Sequence, residues 1–195
     1  MTMAKRKYEF RPDRSGSGFL HKLYLTKKQQ FTLLRWFLYT MVLLTLSVVQ
    51  DVILCRISFY GATTDLIPCA IFLICVILGT ETGSVFSLIA ATMYQFSGTA
   101  PGYHAIVLIT ALGIGVTMFR QNYLRKSVSS NILCALFALV VYELILFLIG
   151  YILSQIPLER LSVFLLTAAL SALAFPILYP TVTAISKIGG ETWKE

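Results

Sequence analysis

Residues 131–153 read NILCALFALVVYELILFLIGYIL, 23 positions with one charged side chain, Glu143. A helix rises 1.5 Å per residue, so crossing ~30 Å of hydrocarbon takes ~20 apolar residues. This stretch meets that requirement alone, and it sets the solvent for the rest of the chain. Working outward, further apolar runs occupy 33–53, 66–78, 84–96, 103–119 and 161–185. The expected fold class is therefore all-α, a polytopic transmembrane bundle of six helices. Segments 66–78 and 84–96 are short and equally compatible with a re-entrant hairpin. Pro176 and Pro180 are expected to kink the last span, since proline removes a helix donor and clashes with the preceding turn.

The breaks are equally legible. Glu81-Thr82-Gly83 reads as a tight polar break, and 97–102 (Ser-Gly-Thr-Ala-Pro-Gly) as a turn. Residues 120–130 form a basic polar loop, and Pro157 marks the break before the last span. Three regions follow: a basic tail over 1–30, a membrane domain over 31–190 and a short tail over 191–195. No small-residue cleavage site follows the first apolar run, so that run is expected to stay attached and to span.

Composition agrees. Of 195 residues 57% are hydrophobic and 13% charged, about half the charge of an ordinary soluble domain, which runs near 25%. The net charge of +7 is lopsided, with nine of sixteen Lys and Arg before residue 36. That basic run leads directly into an apolar span, which favours an anionic leaflet over nucleic acid as its partner. Phe19, Leu20, Leu23, Tyr24 and Phe31 suit one face of an interfacial helix, with Lys22, Lys27, Lys28 and Arg35 left for lipid headgroups; a solvated tail is the alternative. With six crossings and the tail inside, fourteen of the sixteen cations lie on the inner side, and only Arg56 and Arg160 lie outside. Cations resist translocation, so both ends are expected in the cytoplasm.

Candidate chemistry is sparse. Glu143 is the one acid well inside a span, with Tyr142 beside it, and a charge at that depth usually marks function. No second ionisable group accompanies it in the sequence, which favours a structural or partner-binding role over transport. Gln50, Asp51 and Asp65 are expected at the outer interface, in reach of water. His104 opens the fourth span there. Gly83 and Ser87, and Gly113 and Gly115, allow close helix approach, either to a partner or within the bundle. Three of the four cysteines sit in apolar runs, and no CxxC, HExxH, catalytic triad or phosphate-cradling loop occurs. No enzyme activity, metal or cofactor is expected.

Three stretches together resemble one family. They are Gln50 followed by Asp65-Leu66; the span from Gly83 ending in Ser97, Gly98, Gly102 and His104; and the basic loop with Tyr142-Glu143 beyond it. Over roughly residues 33–186 their order and spacing are similar to those of MreD, the small membrane protein of the bacterial rod-shape system. Tyr94 stands where that family commonly has Asp, and Ala90 where it commonly has Gly. The resemblance implies a bacterial cell-membrane scaffold without catalysis. Its expected partners are MreC and, through it, RodA, a transpeptidase and the actin-like filament. It also implies a fold similar to the substrate-binding subunits of energy-coupling-factor vitamin transporters, and such a subunit is the alternative function. Those subunits commonly dock through an Ala-xxx-Ala patch in the first span, whereas 33–53 contains no alanine.

Overall fold

The computed structural model of the protein describes residues 27–123 and 127–188, with side chains from Gln29 onward. The tail over 1–26 with Lys22, the side chains of Lys27 and Lys28, loop residues 124–126 and the C-terminal residues from 189 lie outside the described residues. Seven α-helices follow one another: α1 (Lys27–Val52), α2 (Leu66–Leu78), α3 (Thr80–Phe96), α4 (His104–Tyr123), α5 (Val128–Ile152), α6 (Leu161–Ala172) and α7 (Phe175–Ser186). Single 3-10 turns at Leu54–Arg56 and Leu158–Arg160 punctuate two loops. Among the described residues there is no strand, only an isolated bridge between Phe59 and Ala62 around Tyr60-Gly61.

The segment α2 is apolar on every side, a pattern that demands burial all round. It lies at the centre, packed by α1, α3, α4, α5 and α7, and eleven of its thirteen residues are buried. In lipid the hydrophobic effect does little to join helices, so close packing carries the association. Small residues provide it. A Cβ on Gly83 of α3 would stand 2.8 Å from the Cys75 carbonyl oxygen, and one on Gly113 of α4 would stand 2.9 Å from the Ser87 Cβ. Aromatic rings fill the remaining volume: Trp36 and Tyr39 meet Phe86 edge-on, and Tyr142 meets Phe72.

Three helices, α1, α4 and α5, are long and apolar enough to cross a membrane, and a fourth crossing arises if α6 and α7 count as one bent span. This is coarser than the six spans expected from sequence. The reason is length: α2 has 13 residues, roughly 20 Å, and it is enclosed by protein. The helices α2 and α3 form a hairpin in which Tyr94, near the end of α3, reaches Asp65 at the start of α2.

Two boundaries differ from expectation. The α2–α3 break is Gly79 alone, with φ 88° and ψ −177°, a conformation open to glycine and strained for other residues. Glu81-Thr82-Gly83 instead forms the first turn of α3, where an acidic side chain suits the positive end of the helix dipole. The last span bends by 48° between α6 and α7. The bend falls just before Pro176, which sits in the first turn of α7, where its missing N–H costs nothing and where a continuous helix would lose a backbone hydrogen bond. The helix α7 continues through Pro180. The start of α5 is fixed locally, since Ser127 accepts a hydrogen bond from the Ser130 amide as an N-cap.

Packing at Gly83 gives a direct test. Gly83→Val should destabilise the detergent-solubilised protein by about 1–3 kcal/mol, the usual cost of overpacking. Gly115→Ala, which meets nothing within 4 Å, should leave the thermal midpoint unchanged or slightly higher. Equal midpoints for both variants would refute the tight α2–α3 contact.

Candidate functional site

The two ends of a buried helix carry unpaired backbone groups that need partners. At the N-terminus of α2 these partners come from distant parts of the chain. The Gln50 side-chain oxygen accepts from the Leu66 and Ile67 amides at 2.9 and 3.2 Å. Its Nε2 donates to Asp65 Oδ1 at 2.9 Å. The Tyr94 hydroxyl donates to Asp65 Oδ2 at 2.8 Å, and the Asp65 amide donates to Ser171 Oγ at 2.8 Å. Side chains from α1 and α3 thus meet on one carboxylate, and α6 accepts from the backbone amide of the same residue. At the opposite end Arg120 donates to the Val76 carbonyl at 2.8 Å.

Beside this cluster opens a cavity of about 430 Å³, lined among others by Gln50, Asp65, Tyr94, Glu143 and Arg160. Glu143 is 4% exposed and Gln50 6%. Gln50 therefore departs from the expected water-exposed position, because it caps α2 from within the fold. Glu143 departs from the expected isolation: Asp65 is close enough to act on it electrostatically. Sequence inspection missed that pairing because the two acids belong to different helices far apart in the chain. The one available signal was polarity: Gln50, Asp65 and Glu143 are polar residues within or bordering apolar runs. Asp65 stands just outside α2, and burial raises its carboxyl from 3.8 to about 6, more than the Tyr94 and Gln50 hydrogen bonds lower it.

The other candidates separate into three groups. Tyr142 is fully buried, with Tyr94 as a polar neighbour of its hydroxyl. Gly83 and Ser87 face inward and serve packing among α2, α3 and α4. Gly98 follows the end of α3 with φ 80°, and Gly102 abuts the His104 ring at the start of α4. His104 begins α4 as the sequence indicates. Arg35 is half-buried, with its Nε enclosed and unpaired among the described residues. Among the described residues no group of three or more His, Cys, Asp or Glu could hold a metal ion.

No known protein family, curated protein or solved structure matches this chain. The site is therefore interpreted from its own geometry. Besides the polar cavity, a second feature stands out. A cleft of about 300 Å³ lies between α1 and α3, lined by Leu43, Leu44, Ser47, Ala90, Met93 and Phe96 among others. Its walls are almost wholly apolar, and α1 is the least covered of the long helices.

Two outcomes are expected. Gln50→Leu strands the Leu66 and Ile67 amides and takes one of its donors from Asp65, and should cost about 1–3 kcal/mol per unsatisfied group, read as a lowered thermal midpoint. The pH dependence follows from Asp65. The folded state holds its proton more tightly than the unfolded chain, so its contribution to stability grows as pH falls from 7 toward 4 and is lost as pH rises through 6. A thermal midpoint measured from pH 7 to pH 5 should rise, and should rise less in Asp65→Asn; identical slopes would remove Asp65 from the account.

Proposed function

We propose that the chain is a non-enzymatic membrane scaffold of bacterial cell-wall elongation, similar to MreD, which binds the single-span protein MreC. It would cross the membrane six times with both ends inside. Through MreC it would connect to RodA, a transpeptidase and the actin-like filament. The single observation that carries this reading is the cleft between α1 and α3. It is apolar, and small residues (Ser47, Ala90) form part of its lining. An apolar helix laid into such a groove gains close contact without stranding polar groups. Supporting it, single residues from the stretches that carry the family resemblance line one cavity: Gln50, Asp65 and Glu143, with Thr99 and Pro101 of the turn after α3.

Glu143 has a different part in this reading from the one its position in the sequence suggests. It faces the cavity and not the cleft, so it does not touch the docked helix. Ser47→Trp, which fills the cleft, should lower co-purified MreC by about tenfold, equivalent to ~1.4 kcal/mol, with membrane insertion unchanged. Glu143→Gln should leave the yield of complex intact. Undiminished MreC recovery with Ser47→Trp would count against the cleft as the docking site.

A second reading is a substrate-binding membrane subunit of an energy-coupling-factor transporter. The polar cavity with two carboxylates favours it. Native mass spectrometry of the purified protein separates the two: a retained single-span protein supports the scaffold, a retained small molecule alone supports the transporter subunit.

A further inference from the structure

Asp65, Glu143 and Arg160 face one cavity, yet the two signs of charge do not meet. Among the described residues no ion pair joins Arg160 to either carboxylate. Glu143 is 4% exposed, lines the cavity and accepts no hydrogen bond from a described residue. Asp65 accepts from Gln50 on one oxygen and from Tyr94 on the other, with the Ile67 amide a further donor to it; a carboxylate offers about four lone-pair sites, so acceptor capacity remains. Arg160 is exposed, which places it at the rim. Threonine hydroxyls and apolar side chains, Thr167 and Phe164 among them, occupy the walls between.

An enclosed carboxylate without a partner is costly, and a bound cation offsets that cost. A guanidinium at the rim is a ready partner for phosphate or carboxylate. A cavity with acids enclosed, a cation at the mouth and about 430 Å³ between them is complementary to a molecule carrying both charges. The volume lies in the ordinary range of small-molecule sites. We propose that this cavity binds a small zwitterion, its primary ammonium held by Asp65 and Glu143 and its anionic group by Arg160. The same chemistry is offered by a free solute and by the headgroup of a zwitterionic phospholipid. The proposal does not rest on the scaffold reading: Asp65, Glu143 and Arg160 line the cavity and not the cleft, although Tyr94 borders both.

The protein carries its own reporter. Cys55 lines the cavity and is exposed, while Cys69, Cys75 and Cys134 are buried. The full chain in phosphatidylglycerol nanodiscs is treated with a membrane-impermeant maleimide, and Cys55 modification is timed. Saturating O-phosphoethanolamine should slow it by at least about threefold, as occupancy of the site requires, whereas ethanolamine or phosphate alone should not. Slow modification in phosphatidylethanolamine nanodiscs without added solute assigns the ligand to the lipid headgroup; protection by the solute alone assigns a free molecule. Glu143→Gln and Arg160→Gln should each abolish protection with helical content and elution unchanged. Arg160 is exposed, so its variant remains informative even where Glu143→Gln fails to fold. The proposal is overturned by unprotected Cys55 in both the solute and the lipid arms. It is equally overturned if ethanolamine alone protects as well as the zwitterion, or if protection persists in Arg160→Gln.

Discussion

The fold depends on satisfying the two ends of a helix that the rest of the protein encloses. The helix α2 is enclosed along almost its whole length, and at 13 residues its ends stop short of where a full crossing would place them. Backbone amides and carbonyls left bare at that depth each cost several kcal/mol. The protein answers with side chains from elsewhere: Gln50 from α1 and Ser171 from α6 at one end, Arg120 from α4 at the other. Each of these contacts also fixes the depth of the helix that supplies it. The capping of α2 is therefore what aligns α1, α4 and α6 around it.

The polar cluster at the start of α2 follows from that requirement. Gln50 has one carbonyl oxygen and one amide group; the oxygen serves the backbone, and the amide then needs an acceptor, which Asp65 provides. Asp65 in turn has acceptor capacity to spare, and Tyr94 takes part of it. Charged and polar groups are expensive within a bilayer and are found together for that reason. Glu143 joins the same neighbourhood from α5, and the cavity opens where these groups converge with the loop residues before α6.

The long helices were legible because hydrophobicity over 20 or more residues is an additive signal. The α2–α3 region was not, and the reasons are physical. A helix apolar on every face has no periodicity from which to infer its neighbours, so 66–78 could not be distinguished from a minimal crossing. The break at Gly79 was obscured by the more polar Glu81-Thr82-Gly83, although polarity is compatible with a first helical turn while the backbone at Gly79 is compatible with little except glycine. Gln50 looked like an interfacial residue because its partners are amides, which every residue has and which composition cannot display. Arg120 was counted among loop cations, yet it lies in the last turn of α4, where its reach to Val76 depends on how α2 and α4 pack.

The apolar cleft and the polar cavity are not separate features, because Tyr94 forms part of the wall of both. Its hydroxyl is committed to Asp65, and its ring is thereby held between the two spaces. A tyrosine with its hydroxyl at this depth could swing toward the cleft only by giving up a hydrogen bond to a carboxylate, worth about 1.5–3 kcal/mol. The polar cluster that caps α2 thus also sets the shape of the cleft beside α1. Tyrosine at residue 94 supplies both a donor for the carboxylate and an apolar face for the groove.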